Sequence, residues 1–181
     1  MARRARRLFR GGRIIDLGAG HALLAHIMLL LDDSSPIAIA VDKMFPPCAA
    51  RLHAALADEW PRLAGRIQFV TAAIDDDESV SVVRSDIVVS SHACGALTDV
   101  VLARAVGARA RVVVLPCCHD LVACDHGALA GWVDAPLAID IMRTVGLERQ
   151  GYRVWTQTIP AAITPRNRLL LGQPHDDASR V

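Results

Sequence analysis

Short apolar runs recur along this 181-residue chain, each ending in a polar or glycine-rich break and most followed by a helical stretch. That alternation limits the fold more than any other feature. Arg13–Leu17, Ile37–Val41, Ile67–Val70, Asp86–Ser90 and Arg111–Leu115 read as strands. They are almost continuously apolar, as strands are when helices cover both faces of a parallel sheet. Helices are expected at His21–Leu31, Cys48–Trp60, Leu97–Val106 and Leu137–Gln150. Asp32-Asp33-Ser34-Ser35-Pro36 ends the first, Pro46 and Pro47 open the second, and Gly151 caps the last. Tyr152–Thr158 and Arg168–Gly172 are joined by a short proline-containing link and predict an antiparallel hairpin. The expected fold is α/β, a doubly wound, mostly parallel seven-stranded sheet with a C-terminal antiparallel hairpin. It occupies residues 13–173, between a basic arm over 1–12 and a tail over 174–181. In such a sheet, ligands sit beyond the carboxyl ends of the strands.

Composition removes several classes of function. Apolar residues make up 52% and charged residues 22%, which is globular, and aromatics are only 4%, so the core is aliphatic. The net charge of +1 makes no whole-chain case for nucleic acid. Yet Arg3, Arg4, Arg6, Arg7, Arg10 and Arg13 crowd the start, a solvated arm able to touch phosphate. So short a start leaves little room for a helix ahead of the first strand. The apolar surface then exposed would suit a partner subunit or a second copy, in a non-catalytic role or otherwise. No signal peptide is expected, because Leu8 and Phe9 run straight into Gly11 and Gly12. The apolar stretch Ala22–Leu31 contains His26 and is too short to span a membrane. Five cysteines, two of them adjacent, make a poor disulfide framework and predict a reducing, cytoplasmic setting.

The loop after the first strand reads Asp16-Leu17-Gly18-Ala19-Gly20-His21-Ala22. Gly18 and Gly20 allow a tight turn and close approach to a ligand. Asp42, ending the second strand, suits the two hydroxyls of a ribose. A dinucleotide loop would place a third glycine where Leu23 stands, so a pyrophosphate is poorly served and a nicotinamide oxidoreductase is disfavoured. A carboxylate at Asp16 suits instead the ammonium of an amino-acid ligand.

These residues resemble the first motif and the ribose-binding acid of class I S-adenosylmethionine-dependent methyltransferases. The resemblance covers nearly the whole chain. It implies S-adenosylmethionine as cofactor, and carries an adenine-contacting role onto Ile74 and Asp75 within Thr71-Ala72-Ala73-Ile74-Asp75.

Two further clusters stand at adjacent strand ends, Ser90-Ser91-His92-Ala93-Cys94-Gly95 and Pro116-Cys117-Cys118-His119-Asp120. Four readings fit them. His92 or His119 serves as general base. One cysteine acts as covalent nucleophile, as in RNA cytosine-5 methyltransferases, although the Pro-Cys of that group is replaced here by Ala93-Cys94. Cys117, Cys118, His119, Cys124 and His126 bind zinc, although their spacing is not a paired Cys-x-x-Cys. Or the cysteines are small apolar residues packing over the cofactor. The strings His92-Ala93-Cys94-Gly95-Ala96-Leu97-Thr98 and Pro116-Cys117-Cys118-His119 are similar to a subgroup of the family. That subgroup includes the CHHC-zinc-finger tRNA 2′-O-methyltransferases and methyltransferase-like proteins with a glutathione-transferase C-terminal domain.

The resulting expectation is an enzyme. Asp16, Gly18 and Gly20 hold the methionine part of the cofactor, Asp42 the ribose, and Ile74 and Asp75 the adenine. Ser91 and His92 lie nearest the transferred methyl, with Cys117 and His119 beside them and no metal in the reaction. Through the subgroup the acceptor is RNA, a tRNA ribose 2′-hydroxyl in particular, with a small molecule as the rival. Arg166, Asn167 and Arg168 on the hairpin link are either phosphate contacts or an ordinary turn, and Trp132 either lines a substrate pocket or staples its loop to the core.

Overall fold

The structure, a computed structural model, describes residues 1–91, 93–129 and 131–176. Strands β1 (Ile14–Leu17), β2 (Ala38–Asp42), β3 (Ile67–Thr71), β4 (Ile87–Ser90), β5 (Arg111–Val114), β6 (Tyr152–Thr158) and β7 (Arg168–Pro174) form one sheet in the order β3-β2-β1-β4-β5-β7-β6. The first five are parallel, and β7 is antiparallel to both β5 and β6. This is the doubly wound sheet with a terminal hairpin that the sequence predicts. The strand order reverses between β1 and β4, the switch point beyond whose strand ends such sheets bind their ligands.

Five helices flank the sheet among the described residues: α1 (Ala2–Leu8), α2 (Leu23–Leu30), α3 (Cys48–Glu59), α4 (Leu97–Gly107) and α5 (Ala135–Arg149). A 3₁₀ turn, Pro61–Leu63, follows α3. Side chains alternate along each strand and so divide between two cores. Ile14, Ala40, Val89 and Leu171 pack with α1 and α2. Ile15, Val41, Val88 and Leu170 pack with residues of α4 and with Leu147 of α5. Tyr152, at the start of β6, is buried, and its hydroxyl lies 2.9 Å from the carbonyls of both Ala105 and Ala110. This ties the sheet edge to the end of α4. Among the described residues no helix is long and apolar enough to cross a membrane.

The first residues depart from expectation. Residues 1–12 are not a solvated arm throughout, because α1 is a leading helix packed on α2. Its spacing explains why: Ala2, Ala5, Arg6 and Phe9 share one face, three to four residues apart, and all are buried. Phe9 meets Trp155 edge to face, with ring centroids 5.9 Å apart. Arg6 is buried because its guanidinium is fully used. Nε donates to the Met28 carbonyl at 3.0 Å, one terminal nitrogen donates to Ser35 Oγ at 2.8 Å, and the other pairs with Asp32 at 3.0 Å. Burial lowers Arg6 to about 10, so it stays charged at neutral pH. Asp32 falls to about 2: burial opposes this, but hydrogen bonds from Ser34 and Gly11 and the Arg6 charge prevail. With α1 in place, the apolar surface expected to lie bare for a partner chain is covered by the chain itself.

Two helix starts also shift. α2 begins at Leu23 rather than His21, because Ala22 takes a left-handed conformation (φ 58°) before the helix. α5 begins at Ala135 rather than Leu137, because Asp134 caps it by accepting the Leu137 amide at 2.9 Å.

Candidate functional site

Asp16 lies within β1 and is 1% exposed. Its Oδ2 accepts the Ala25 amide at 3.2 Å, while Oδ1 is buried with no partner among the described residues. Burial pushes the carboxyl up to about 7; the Ala25 bond opposes this and the Asp42 charge adds to it. A buried oxygen without a donor is rare in a native fold and wants an explanation. A ligand cation supplies one.

The loop above it is shaped by two glycines. Gly18 has φ 71°, and a Cβ there would lie 3.3 Å from Ile74 Cδ1 and 3.9 Å from both Ser90 Oγ and the Ala93 amide. The loops after β1, β3 and β4 therefore meet at Gly18. Gly20 has φ 54°, and a Cβ there would meet nothing within 4 Å, so it borders open space. The amides of Gly18 and Ala19 both donate to the Val41 carbonyl, at 2.9 and 3.0 Å. Asp42 Oδ2 accepts the Gly20 amide at 2.8 Å, and Oδ1 accepts the Met44 amide at 3.2 Å. Asp42 thus clamps the glycine loop to the end of β2, and each oxygen keeps capacity for a further donor. Asp16, Gly18, Gly20, Asp42 and Ile74 all belong to this one cradle. Of the acid run, Asp76 is used locally by Ser79 and Glu78, and Asp77 pairs with the Arg104 guanidinium at 2.5 Å. Asp75 is exposed and lines a groove along α4 with Asp77, Ser81 and Arg104.

Ser90 is a member of the site that the sequence reading passed over. Its hydroxyl donates to the Leu17 carbonyl at 2.6 Å and accepts the Ala93 amide at 3.3 Å, joining the loops after β1 and β4. A serine closing an apolar strand run was the available signal. Ser91 beside it is half-buried. His92 lies outside the described residues.

On the next loops Cys94, Cys117 and Cys118 converge, with all three sulfurs within 4.8 Å of one another. The Cys117 hydrogen bond, with burial and Cys118 adding, pushes the Cys94 thiol up to about 12. A covalent nucleophile needs a thiolate, so Cys94 as it stands is unsuited to that role. His119 is nearly buried, and its Nε2 lies 2.9 Å from Asp140 Oδ1. Asp140 also takes Arg143 at 3.3 Å and Arg168 at 2.6 Å. Arg143 in turn donates to Asp99 at 2.7 Å and to the Gly95 carbonyl at 2.9 Å. This network braces the loop after β4 from α5. Asp140 and Arg143, three residues apart and so on one face of the helix, were its sequence signal. Cys124 is buried in contact with Arg143, and His126 Nδ1 lies 3.0 Å from the Gly127 carbonyl; among the described residues neither belongs to the thiol trio.

An open cavity of about 730 Å³ lies between α5 and the hairpin, next to Pro116. Leu137, Ile141 and Val145 line it at helical spacing, opposite Thr156, Thr158 and Leu170. Arg168 spans from its rim to Asp140, Arg166 is exposed, and Trp132 is 86% exposed, so it staples nothing to the core.

Comparison with known proteins agrees with this architecture. Residues 5–125 match a family described as a methyltransferase domain. No curated protein matches the chain. Among solved structures, an O-methyltransferase family protein from Burkholderia thailandensis superposes with a TM-score of 0.59 at 17% identity. The match covers 91% of this chain and 51% of that protein, so the chain spans about half its length. The precorrin-6y C5,15-methyltransferase of Geobacter metallireducens gives 0.60 at 13% identity, covering 96% and 86%. TrmK of M. capricolum, solved with S-adenosyl-homocysteine, gives 0.56 at 13% identity, covering 99% and 71%. At these identities the likeness carries the fold, and the matched family carries membership. The chain belongs to the methyltransferase domain family and has the class I S-adenosylmethionine-dependent methyltransferase fold.

Proposed function

We propose that the protein binds S-adenosylmethionine in the cradle at the ends of β1, β2 and β3 and transfers its methyl group. The observation that carries this reading is the buried Asp16 Oδ1, unpartnered among the described residues, in the strand that leads into the Gly18–Gly20 loop. Asp16 takes the ammonium of the cofactor, the glycine loop lies along its amino-acid part, and Asp42 accepts the ribose hydroxyls. Ile74 and Asp75 are assigned to the adenine, Ile74 as an apolar wall and Asp75 through its exposed carboxylate. When bound, the cofactor supplies an electrophilic methyl carbon. The chain's part is to align an acceptor with it and keep water away, since orientation supplies most of the rate in such a displacement. Ser91 stands at the end of β4, where the acceptor would approach. His92, assigned from its type and sequence position, takes the acceptor's proton. Cys117 and His119 stand in the adjoining loop, His119 oriented by Asp140.

The acceptor is assigned to RNA, following the subgroup that the His92–Thr98 and Pro116–His119 strings resemble. A small-molecule acceptor is the second reading, favoured by the 730 Å³ apolar cavity beside Pro116. Calorimetric titration with S-adenosylhomocysteine, with NADH as control, tests the cofactor. Micromolar binding of the former alone is expected. Asp42→Ala loses both the ribose acceptor and the clamp on Gly20 and lowers affinity by roughly tenfold or more; unchanged affinity would refute the ribose assignment. Labelled methyl transfer into total RNA, against transfer into a small-metabolite extract, separates the two acceptors.

A further inference from the structure

We propose that Cys94, Cys117 and Cys118 form a zinc site that joins the loops after β4 and β5. The geometry is that of a ligand set. Cys94 and Cys117 sulfurs lie 3.2 Å apart, and all three sulfurs lie within 4.8 Å of one another. Zinc–thiolate bonds of about 2.3 Å in a tetrahedron place sulfurs about 3.8 Å apart, inside that range. Side-chain rotations that shift each sulfur by about an ångström or less would close the difference.

The backbone around the sulfurs is already held. The Gly95 amide donates to the Cys118 carbonyl at 3.0 Å, so the two loops are bonded to each other. Thr98 Oγ1 donates to the Ala93 carbonyl, and Arg143 holds the Gly95 carbonyl at 2.9 Å. Consecutive cysteines in a strand would point to opposite faces. Pro116–Asp120 runs outside regular structure, which lets Cys117 and Cys118 turn to the same point. Cys94, 23 residues from Cys117, completes a set that spacing within 117–126 does not contain.

The chemistry selects the ion. Three thiolates with no carboxylate favour a soft or borderline cation over magnesium or calcium. Among the described residues the set has three members, and Cys94 and Cys118 are exposed. The fourth position therefore opens to solvent, as in zinc sites that accept an exchangeable ligand. Each thiol gives its proton to solvent as the metal binds. The inference does not rest on methyl transfer, since it needs only the loop geometry.

The test uses the full chain, reduced, stripped with chelator and titrated with cobalt(II) and then zinc. About one equivalent of cobalt is expected to give a thiolate charge-transfer band and the intense visible bands of a tetrahedral centre, both displaced by zinc. Cys94→Ser and Cys117→Ser should each weaken binding at least tenfold, with circular dichroism unchanged. Cys48→Ser, distant in the fold and bonded to His21, should leave it intact. Three results would each overturn the proposal: no charge-transfer band in the wild-type protein; a band that survives Cys94→Ser but is lost in Cys124→Ser; or a Cys94–Cys117 disulfide that persists in reductant and excludes the metal. Homocysteine-cofactor binding is read separately, so failure of the cradle and failure of the metal site are distinguishable.

Discussion

Asp16 concentrates the residue-scale physics of the site. Removed from water, its carboxyl has only the Ala25 amide to offset burial, and it rises to about 7. The consequence for stability has a definite sign. A raised acid favours the folded state while protonated, so its contribution is full below the ordinary carboxylate range and is lost as pH rises through about 7. A ligand ammonium reverses the balance by giving the carboxylate a partner. Two opposed effects of Asp16→Asn are therefore expected. The free protein gains thermal stability at pH 8, while affinity for S-adenosylhomocysteine falls at least tenfold. Wild-type affinity should decline as pH drops below 7, by up to about tenfold per unit, and the variant's should not. A variant that binds as tightly as wild type at pH 8 would remove Asp16 from the cofactor site. The acid and the two glycines were legible in sequence because each has one narrow chemical use. Ser90 was not, since a serine in an apolar run announces neither its direction nor its partner. Ala22 in a left-handed conformation was equally hidden, because alanine is a strong helix former on propensity alone.

At the scale of elements, α1 shows how a charged segment becomes core. Ala2, Ala5 and Phe9 make an apolar stripe in a run of arginines, and Arg6 joins the stripe because Met28, Ser35 and Asp32 use its guanidinium. Charge counting suggested a solvated arm; the partners that make Arg6 buriable lie 22 to 29 residues away. Phe9→Ala removes the contact with Trp155 and should cost about 3 kcal/mol, read by chemical denaturation. A loss below about 0.5 kcal/mol would mean that α1 is docked weakly and that its face is open after all. The strands are legible because their signal is local: the sequence predicts β6 at its observed bounds, and β1 to β5 within about a residue. Helix starts are less legible, because capping by Asp134 competes with the apolar pattern that begins at Leu137.

For the whole molecule, the sheet order brings the glycine loop, the Asp42 corner and the β4 loop to one switch point, so binding of the proposed cofactor there would couple to global stability. Ligand that binds only the folded chain adds about 2.7 kcal/mol at a hundred times its Kd. For a chain of this size that raises Tm by roughly 5 to 10 °C, which a thermal melt with S-adenosylhomocysteine will show. NADH should produce no rise, and an equal rise with NADH would contradict the missing third glycine's meaning. The alternation of apolar runs and helical stretches by itself determined the doubly wound sheet, its antiparallel ending, and the place of the glycine loop at the end of β1. These follow from periodicity and from residues whose backbone or charge has a single efficient use, which are properties of short segments. Tertiary structure alone decided that Cys94 joins Cys117 and Cys118, that Asp140 and Arg143 brace the β4 loop, and that Arg6 lies buried. Each of those depends on which distant strand ends become neighbours, and burial, pairing and proton affinity are set by neighbours in space.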